Sequence, residues 1–479
     1  MHIVVPERDG GLGRAYDAEH RGRIMSERRK FWGAGLNEGV APKHLATFYA
    51  AAFLTIMLAV TVAALQPYLL NTFLNLPVRE HGNASGKIGT AAEIVLFAAV
   101  GVWGVLSDRV GRKNVYALGF MIMALGFIVM PFATTLNGLM GARAFYSIGI
   151  AATTAMLSTI LADYVVNENR GKATAIMGVM NGLGASAAAV GMAKLPQVFA
   201  KSMDGISAGK ATFYVAAVLC VGAAVLMAVG LKGKGGEHAH EERQPLGQMA
   251  SEGVRAAKED IGVLLSYLSA FVARADLAVA GTFFPLWVTT HYAGQVSAVG
   301  VSSLEYQTLL NEAAARGIKE GGLLVAVAGG AGLFFAPVIG ILCDRINRVS
   351  ALIIGLSMNV VGYGLCFFVT DPTAGLMWVA AAIIGFGQVG GVISSQVLIQ
   401  QQAPAKFRGS VVGMFGTFGA AGIMFCLFAG GKLFDGWRGA GPFVLLALLN
   451  MLVILFAFAV KARVKTPSDE PAGAMLMAH

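Results

Sequence analysis

The sequence predicts an all-α membrane protein with twelve spanning helices in two pseudo-symmetric six-helix bundles. Three observations carry this. Of 479 residues, 56% are hydrophobic and 13% charged, with a mean hydropathy of +0.66, whereas soluble globular chains carry about 25% charged residues. Apolar runs of about 20 residues, the length that crosses a bilayer as a helix, recur along the chain. Finally, GVLSDRVGRK at 104–113 returns as GILCDRINR at 340–348, 236 residues later. A second pair, Arg170-Gly171 ahead of Gly178 and Arg408-Gly409 ahead of Gly416, repeats at 238 residues. Two unrelated motifs at nearly one offset mean that the second half copies the first. A membrane protein of two like halves is a candidate transporter with its site between them.

Apolar runs bounded by Gly, Pro and charge place six spans in the first half, at about 46–73, 88–107, 114–134, 137–163, 172–199 and 212–232. Six more follow at about 261–290, 321–343, 349–370, 374–402, 409–432 and 441–461. The expected organisation is an N-terminal tail (1–44), a first bundle (45–232), a linker (233–260), a second bundle (261–462) and a C-terminal tail (463–479). Charge sets the orientation. The two tails and the loops after spans 2, 4, 6, 8 and 10 hold about 25 of the 36 Lys and Arg residues, and the opposite loops about 8. Both termini are therefore expected to be cytoplasmic, in a multi-pass protein of the plasma (inner) membrane. This distribution accounts for the net charge of +9 without a nucleic-acid partner.

Between and beside the spans the sequence says less. The tail before residue 45 has no apolar core, so no cleaved signal peptide is expected and the first span directs insertion. Its Arg21, Arg23, Arg28, Arg29 and Lys30 read as a solvated tail more readily than as a lipid-bound helix. His238 and His240 form a lone pair in a charged linker and are discounted as a metal site. Residues 291–320 make a long outer loop with a helical stripe capped by Ser303, read as a passive insertion rather than a lid. Cys220, Cys343, Cys366 and Cys426 lie far apart in apolar runs and are expected to be packing residues.

The repeated motif has a physical reading. Span 2 ends at Asp108-Arg109, Gly111 permits a tight turn, and Arg112 and Lys113 follow at headgroup depth. Asp108 sits near a helix C-terminus, where the dipole disfavours an acid. The free amides that begin span 11, near Arg408-Gly409, can hold it. Gly104 lets the two helices approach. Asp344 and Arg345 would make the mirror contact with span 5 near Arg170. Such contacts clamp the halves on the cytoplasmic side in one state and break in the other. GVLSDRVGRK resembles the loop signature of the major facilitator superfamily, G-x-L-x-D-R-x-G-R-K, and Asn347 replaces the second Gly in the weaker copy. The resemblance covers residues 45–462 and implies two bundles around a central cavity lined by spans 1, 4, 7 and 10.

Ionisable residues inside spans are costly and point to function. Here they are Glu93 in span 2, Arg143 in span 4, Lys194 late in span 5, and Arg274 and Asp276 in span 7. Arg143 lies in LMGARAFYSIGIA, which is similar to the span 4 signature of proton-coupled antiporters in the family. Leu139, Arg143, Gly149 and Ala151 match, while Tyr146 and Ser147 stand where Gln and Gly are expected. The resemblance implies a role for Arg143 in proton coupling. Asp276 lies near mid-membrane and suits a proton carrier. Arg274, about 200° around the helix from it, cannot easily pair with it, and which of the two faces the cavity stays open. Glu93 has three readings: a proton site, a partner for Arg143, or a carboxylate reaching water from the outer end of span 2.

Gln66 and Tyr68 in span 1, Tyr146 in span 4, and Gln388 and Gln396 in span 10 are the candidate polar lining. Together with Arg143 and Arg274 they point to an anionic or zwitterionic solute, since span 1 carries no acid. Span 5 lacks the Gly-Pro signature that drug exporters of the family often carry. No phosphate loop, metal-ligand cluster or nucleophile constellation is found, so neither an enzyme nor a primary pump is expected, and no cofactor or metal. The expectation is a monomeric, proton-coupled secondary transporter of a small molecule in the lipid bilayer. Antiport by efflux is slightly favoured over uptake by symport, and a transporter-like receptor or lipid translocase stands as a remote third class.

Overall fold

The computed structural model describes residues 30–464 apart from 33, 38, 78–79, 167–169, 233–245, 298, 300–301 and 404–407. Twelve described helices are long and apolar enough to cross a membrane. In chain order they are α1 (Pro42–Tyr68), α2 (His81–Val110), α3 (Arg112–Val129), α4 (Leu136–Tyr164), α5 (Arg170–Val190) and α6 (Gly205–Gly230). The second set is α7 (Ile261–Gln295), α8 (Ser303–Arg345), α9 (Arg348–Phe368), α10 (Gly375–Gln402), α11 (Arg408–Gly436) and α12 (Gly441–Val460).

All twelve expected spans recur, with α5 ending at Val190 and followed by a tight turn (Met192–Lys194) and a short helix (Leu195–Phe199) inside the expected span 172–199, and with other helices running past their apolar segments. α6 begins ahead of its apolar run because Asp204 caps it, the carboxylate accepting from Ser207 N at 3.0 Å. α8 differs most. The segment expected as an outer loop is the first part of one 43-residue helix, with Ser302 Oγ accepting from Glu305 N at 3.3 Å to cap it. α1 runs on into a π-helical turn, Leu69–Phe73. Pro67 has no amide hydrogen to donate, and just past it the ladder loosens so that Leu74 N reaches back to Leu69 O at 3.1 Å.

The bundles α1–α6 and α7–α12 repeat one set of neighbours. α1 packs on α5 as α7 does on α11, α2 on α4 as α8 on α10, α3 on α6 as α9 on α12, and α3 on α4 as α9 on α10. The last pairing rests on small residues in both copies. Gly119 and Gly126 of α3 have counterparts 236 residues on, Gly355 and Gly362 of α9, the offset of the loop motif. A Cβ at Gly119 would lie 2.8 Å from Ala152 Cβ, and one at Gly355 2.6 Å from the carbonyl carbon of Gly390. Lipid tails are as apolar as leucine, so close packing of this kind, rather than exclusion from water, holds such helices together. Two buried tyrosines add polar ties to α1: Tyr116 Oη and Thr55 Oγ1 are 2.8 Å apart, and Tyr146 Oη donates to Leu58 O at 2.6 Å.

Across the bundles, α2 packs on α11 and α5 on α8. The described hydrogen bonds between bundles lie in the half of the molecule away from the chain ends. Thr72 Oγ1 donates to Asn311 Oδ1 at 2.8 Å, Asn71 Nδ2 to Leu310 O at 3.3 Å, and Thr90 Oγ1 to Met424 O at 3.2 Å. Asp435 accepts from Gly82 N at 2.7 Å and from Asn83 N at 2.5 Å. Toward the opposite face the glycines of these helices are open. A Cβ on Gly101, Gly178, Gly340 or Gly416 would meet nothing within 4 Å.

At the face carrying the chain ends, β1 (Lys30–Phe31) pairs antiparallel with β2 (Ala34–Gly35). The following residues are pinned to the end of α4, with Asn37 Nδ2 donating to Asp163 O at 2.8 Å. The end of the tail is thus attached to the first bundle, where the sequence suggested a solvated segment. The earlier basic residues, and His238 and His240, lie outside the described residues. A linker helix, Leu246–Glu259, lies against α7 and α11, where Tyr267 Oη donates to Gly253 O at 3.1 Å and Ser410 Oγ to Glu252 Oε2 at 2.7 Å. All four cysteines are buried.

Candidate functional site

Three helices from the two bundles bring Glu93 (α2), Arg143 (α4) and Arg274 (α7) into one electrostatic neighbourhood. The Glu93 carboxyl lies within electrostatic reach of both guanidinium groups. α2 starts at His81, so Glu93 lies twelve residues inside it, about 18 Å along the axis. The apolar run alone had put it near the outer end, because His81, Asn83 and Lys87 lengthen the helix with polar residues.

Arg143 is held from one side only. Its Cζ lies 5.3 Å from the centre of the Tyr146 ring, and that ring is fixed by its own bond to Leu58 O. Nε and Nη1 of Arg143 are buried and have no hydrogen-bond partner. Unmatched donors on a buried cation are costly until an acceptor completes them, and a carboxylate or phosphate oxygen makes the strongest such bond to a guanidinium. Arg274 leans along α11 at Gly419, where a Cβ would overlap Arg274 Cδ. The two arginines and Glu93 together carry a net charge of +1, so the cluster favours an anionic group.

Asp276 points elsewhere, which answers the question the sequence left open. It is fully buried inside the second bundle. Asn359 Nδ2 of α9 donates to Asp276 Oδ2 at 2.6 Å, and Asn450 Nδ2 of α12 to Oδ1 at 3.0 Å. The Asp276 carbonyl accepts from Gln388 Nε2 at 2.9 Å and from Tyr363 Oη at 3.2 Å. Gln388, expected to line a cavity, therefore ties α10 to α7 within the bundle. Tyr68 is likewise spent on a bond to Gly205 O, joining α1 to α6. Gln66 is buried with Nε2 unpartnered, and Gln396 is exposed on α10. Asn359 and Asn450 were missed by sequence reasoning that weighed charges in every span but uncharged polar residues only in the spans expected to line the cavity. A lone amide in each of two otherwise apolar spans was the signal that could have found them.

The loop motif is partly described. Gly111, the single residue between α2 and α3, has φ +96°, a conformation that favours glycine. Arg112 does not rest among headgroups as its position suggested. It pairs with Asp163 and donates from Nη1 to Thr159 O at 2.9 Å, while Lys113 Nζ donates to Ala228 O at 3.2 Å. Both basic residues thus stitch the first bundle together. Gly104 lies in the last turns of α2, and Arg109 and Arg345 are exposed. The side chains of Asp108, Asp344, Arg170 and Arg408 lie outside the described residues.

Comparison with known proteins adds breadth. A family model described as Major Facilitator Superfamily matches residues 47–306 and 266–476. The magnetosome protein MamH of Paramagnetospirillum magneticum is 25% identical over 427 residues, covering 87% of this chain and 92% of that protein. The magnetosome protein MamZ of the same species is 27% identical over 414 residues, or 84% of this chain, which spans 60% of the length of MamZ. Among solved structures, the nucleoside transporter NupG superposes with a TM-score of 0.63 at 15% identity, covering 87% of this chain and 98% of that one. At that identity the likeness speaks for the fold alone. Both bundles fall under the family match, and their paired helices repeat at the offset of the loop motif: the chain belongs to the Major Facilitator Superfamily and is a multi-pass membrane protein of the secondary-transporter class.

Proposed function

We propose that this protein carries a small organic anion or zwitterion across the membrane by alternating access, together with a proton bound by Glu93. One observation carries the reading: Glu93, Arg143 and Arg274 converge from both bundles, and Arg143 keeps two buried donors unused. An anion held by the two guanidinium groups repels the Glu93 carboxylate. Proton uptake by Glu93 removes that repulsion, so proton and anion each favour the other's binding, and the preference is reciprocal. Ligands that bind together travel together, which makes symport the mode this geometry favours. Antiport is the second reading, favoured by the span 4 signature around Arg143. Asp276 is the other carboxyl to test, and its closed shell of amides suits a role in holding the second bundle.

The charge distribution of the loops supports cytoplasmic termini. With that orientation, the described hydrogen bonds between bundles close the far face, which suits an inward-facing state. The inner membrane is the proposed location. Likeness to two magnetosome proteins makes a magnetosome membrane the second one to test.

The test is flux in proteoliposomes with a trapped pH-sensitive dye, over a panel of organic anions, zwitterions and lipophilic cations. Proton entry with an entering anion is the expected result. Proton exit on addition of a solute outside establishes antiport, and flux without proton movement rejects the coupling.

A further inference from the structure

The far end of the α2–α11 contact carries an arrangement that nothing in the loop signature assigns. Asp435 lies in the last turn of α11, where the dipole of its own helix disfavours an acid. Its two carboxylate oxygens instead reach across to α2 and accept from Gly82 N at 2.7 Å and Asn83 N at 2.5 Å. These amides belong to the first turn of α2, where no intrahelical acceptor exists. Glu80, at the N-cap position of α2, supplies no side-chain cap, so the cap comes from the other bundle. The backbones can come this close because the facing positions are glycines. A Cβ at Gly86 would lie 2.5 Å from Leu427 O, and one at Gly431 would overlap Gly82 O. Thr90 Oγ1, two turns further along, donates to Met424 O at 3.2 Å.

We infer that Asp435 is a gating residue, the latch that holds the far face closed by capping α2 across the bundle interface. α2 and α11 run in opposite directions, so each C-terminus is at the same face as the other's N-terminus. Each helix also carries an acid in its last turn: Asp108 in α2, which ends at Val110, and Asp435 in α11, which ends at Gly436. Asp435 caps the opposite helix at the far face, and the reciprocal role at the other face falls, by position in the sequence, to Asp108. A rocking motion that opens the far face pulls the first turn of α2 off Asp435 and brings Asp108 toward the start of α11. A merely structural cap has no such counterpart and does not span two bodies that must separate.

The proposal rests on the alternating-access reading above, but its test reads exchange rather than flux, so failure of the proton-coupling scheme leaves it standing. The measurement is amide hydrogen exchange of the full chain in lipid nanodiscs, comparing the peptide that covers 80–90 with peptides in α9 and α12. Asp435→Asn keeps the shape and removes the charge. It is expected to speed exchange at 80–90 about tenfold and to leave α9 and α12 unchanged. Asp435→Glu is expected to restore most of the protection. Asp108→Asn is expected to slow exchange at 80–90, because weakening one latch populates the state held by the other. Unchanged exchange in Asp435→Asn overturns the proposal. Uniform acceleration across all peptides also overturns it, since Asp435 would then support the fold as a whole. Faster exchange at 80–90 in Asp108→Asn overturns the reciprocity.

Discussion

Arg143 shows how much one side chain can say once its neighbours are known. Its stem and one face are used by the first bundle, through the Tyr146 ring, while Nε and Nη1 remain unmatched. Hydrogen bonds to charged groups contribute about 1.5–3 kcal/mol each, so removing these two donors should weaken anion binding by about 100-fold or more in Arg143→Ala. Arg143→Lys keeps the charge but replaces the planar fork by a point charge, and is expected to recover only part of the loss. Equilibrium binding of the anion found in the flux panel checks both. Glu93→Gln separates binding from coupling. It should retain exchange of internal for external anion, which needs no net proton movement, and lose proton entry and the pH dependence of uptake. Persistent proton entry in Glu93→Gln removes Glu93 from the coupling scheme. Sequence alone singled out Arg143 as a charge within an apolar span, and it left three readings of Glu93 standing. The preference for a proton site beside Arg143 draws on the helix start at His81 and the approach of α7 from the other bundle, neither of which is a local property of the chain.

Helices were the most legible level, because length and hydropathy are read directly from composition along the chain. Their ends were less so. The first part of α8 and the start of α2 are helical without being apolar, and caps such as Ser302 fix them where hydropathy gives no sign. The glycines of α3 and α9 were legible in principle. Gly119, Gly126, Gly355 and Gly362 repeat at the motif offset, but only contact shows that each meets a neighbour. That contrast is testable. Gly355→Leu inserts a side chain where a Cβ would lie 2.6 Å from Gly390, and overpacking of this kind costs about 1–3 kcal/mol or more. Gly101→Leu, at a position open to 4 Å, should stay within about 0.5 kcal/mol. Thermal melting of the two purified variants should therefore differ clearly, and equal melting points would deny the close α9–α10 approach. Asp276 belongs to the same level. Two amides satisfy its carboxylate, so Asn359→Leu strands one oxygen and should lower the melting point, while proton-coupled flux in surviving protein continues.

At the scale of the whole molecule, the duplication explains why the fold could be read before any site. A repeated motif fixes two bundles, an even span count puts both ends on one face, and the charge bias chooses which. The site was harder because it lies between the copies, where residues far apart in sequence meet and the symmetry is broken: Arg143 and Arg274 are not at equivalent positions of the repeat. Alternating access asks for two closed faces of similar energy, each broken in turn. One is described, at the α2–α11 and α5–α8 contacts away from the chain ends. The other is assigned to the loop motif, whose Asp108 ends α2 beside the start of α11. Asp108→Asn should therefore act on the cycle and not on the site, because Glu93, fifteen residues away on the same helix, is about 22 Å along its axis. An acid at a helix N-terminus contributes about 0.3–2 kcal/mol, and a loss of about 1.4 kcal/mol shifts a two-state balance tenfold. The expectation is transport slowed several-fold with anion affinity changed less than about threefold, read from initial uptake rates beside equilibrium binding in the same vesicles. Affinity that falls as far as the rate would place Asp108 in contact with the binding site and would undo the assignment of the motif to the closing of this face.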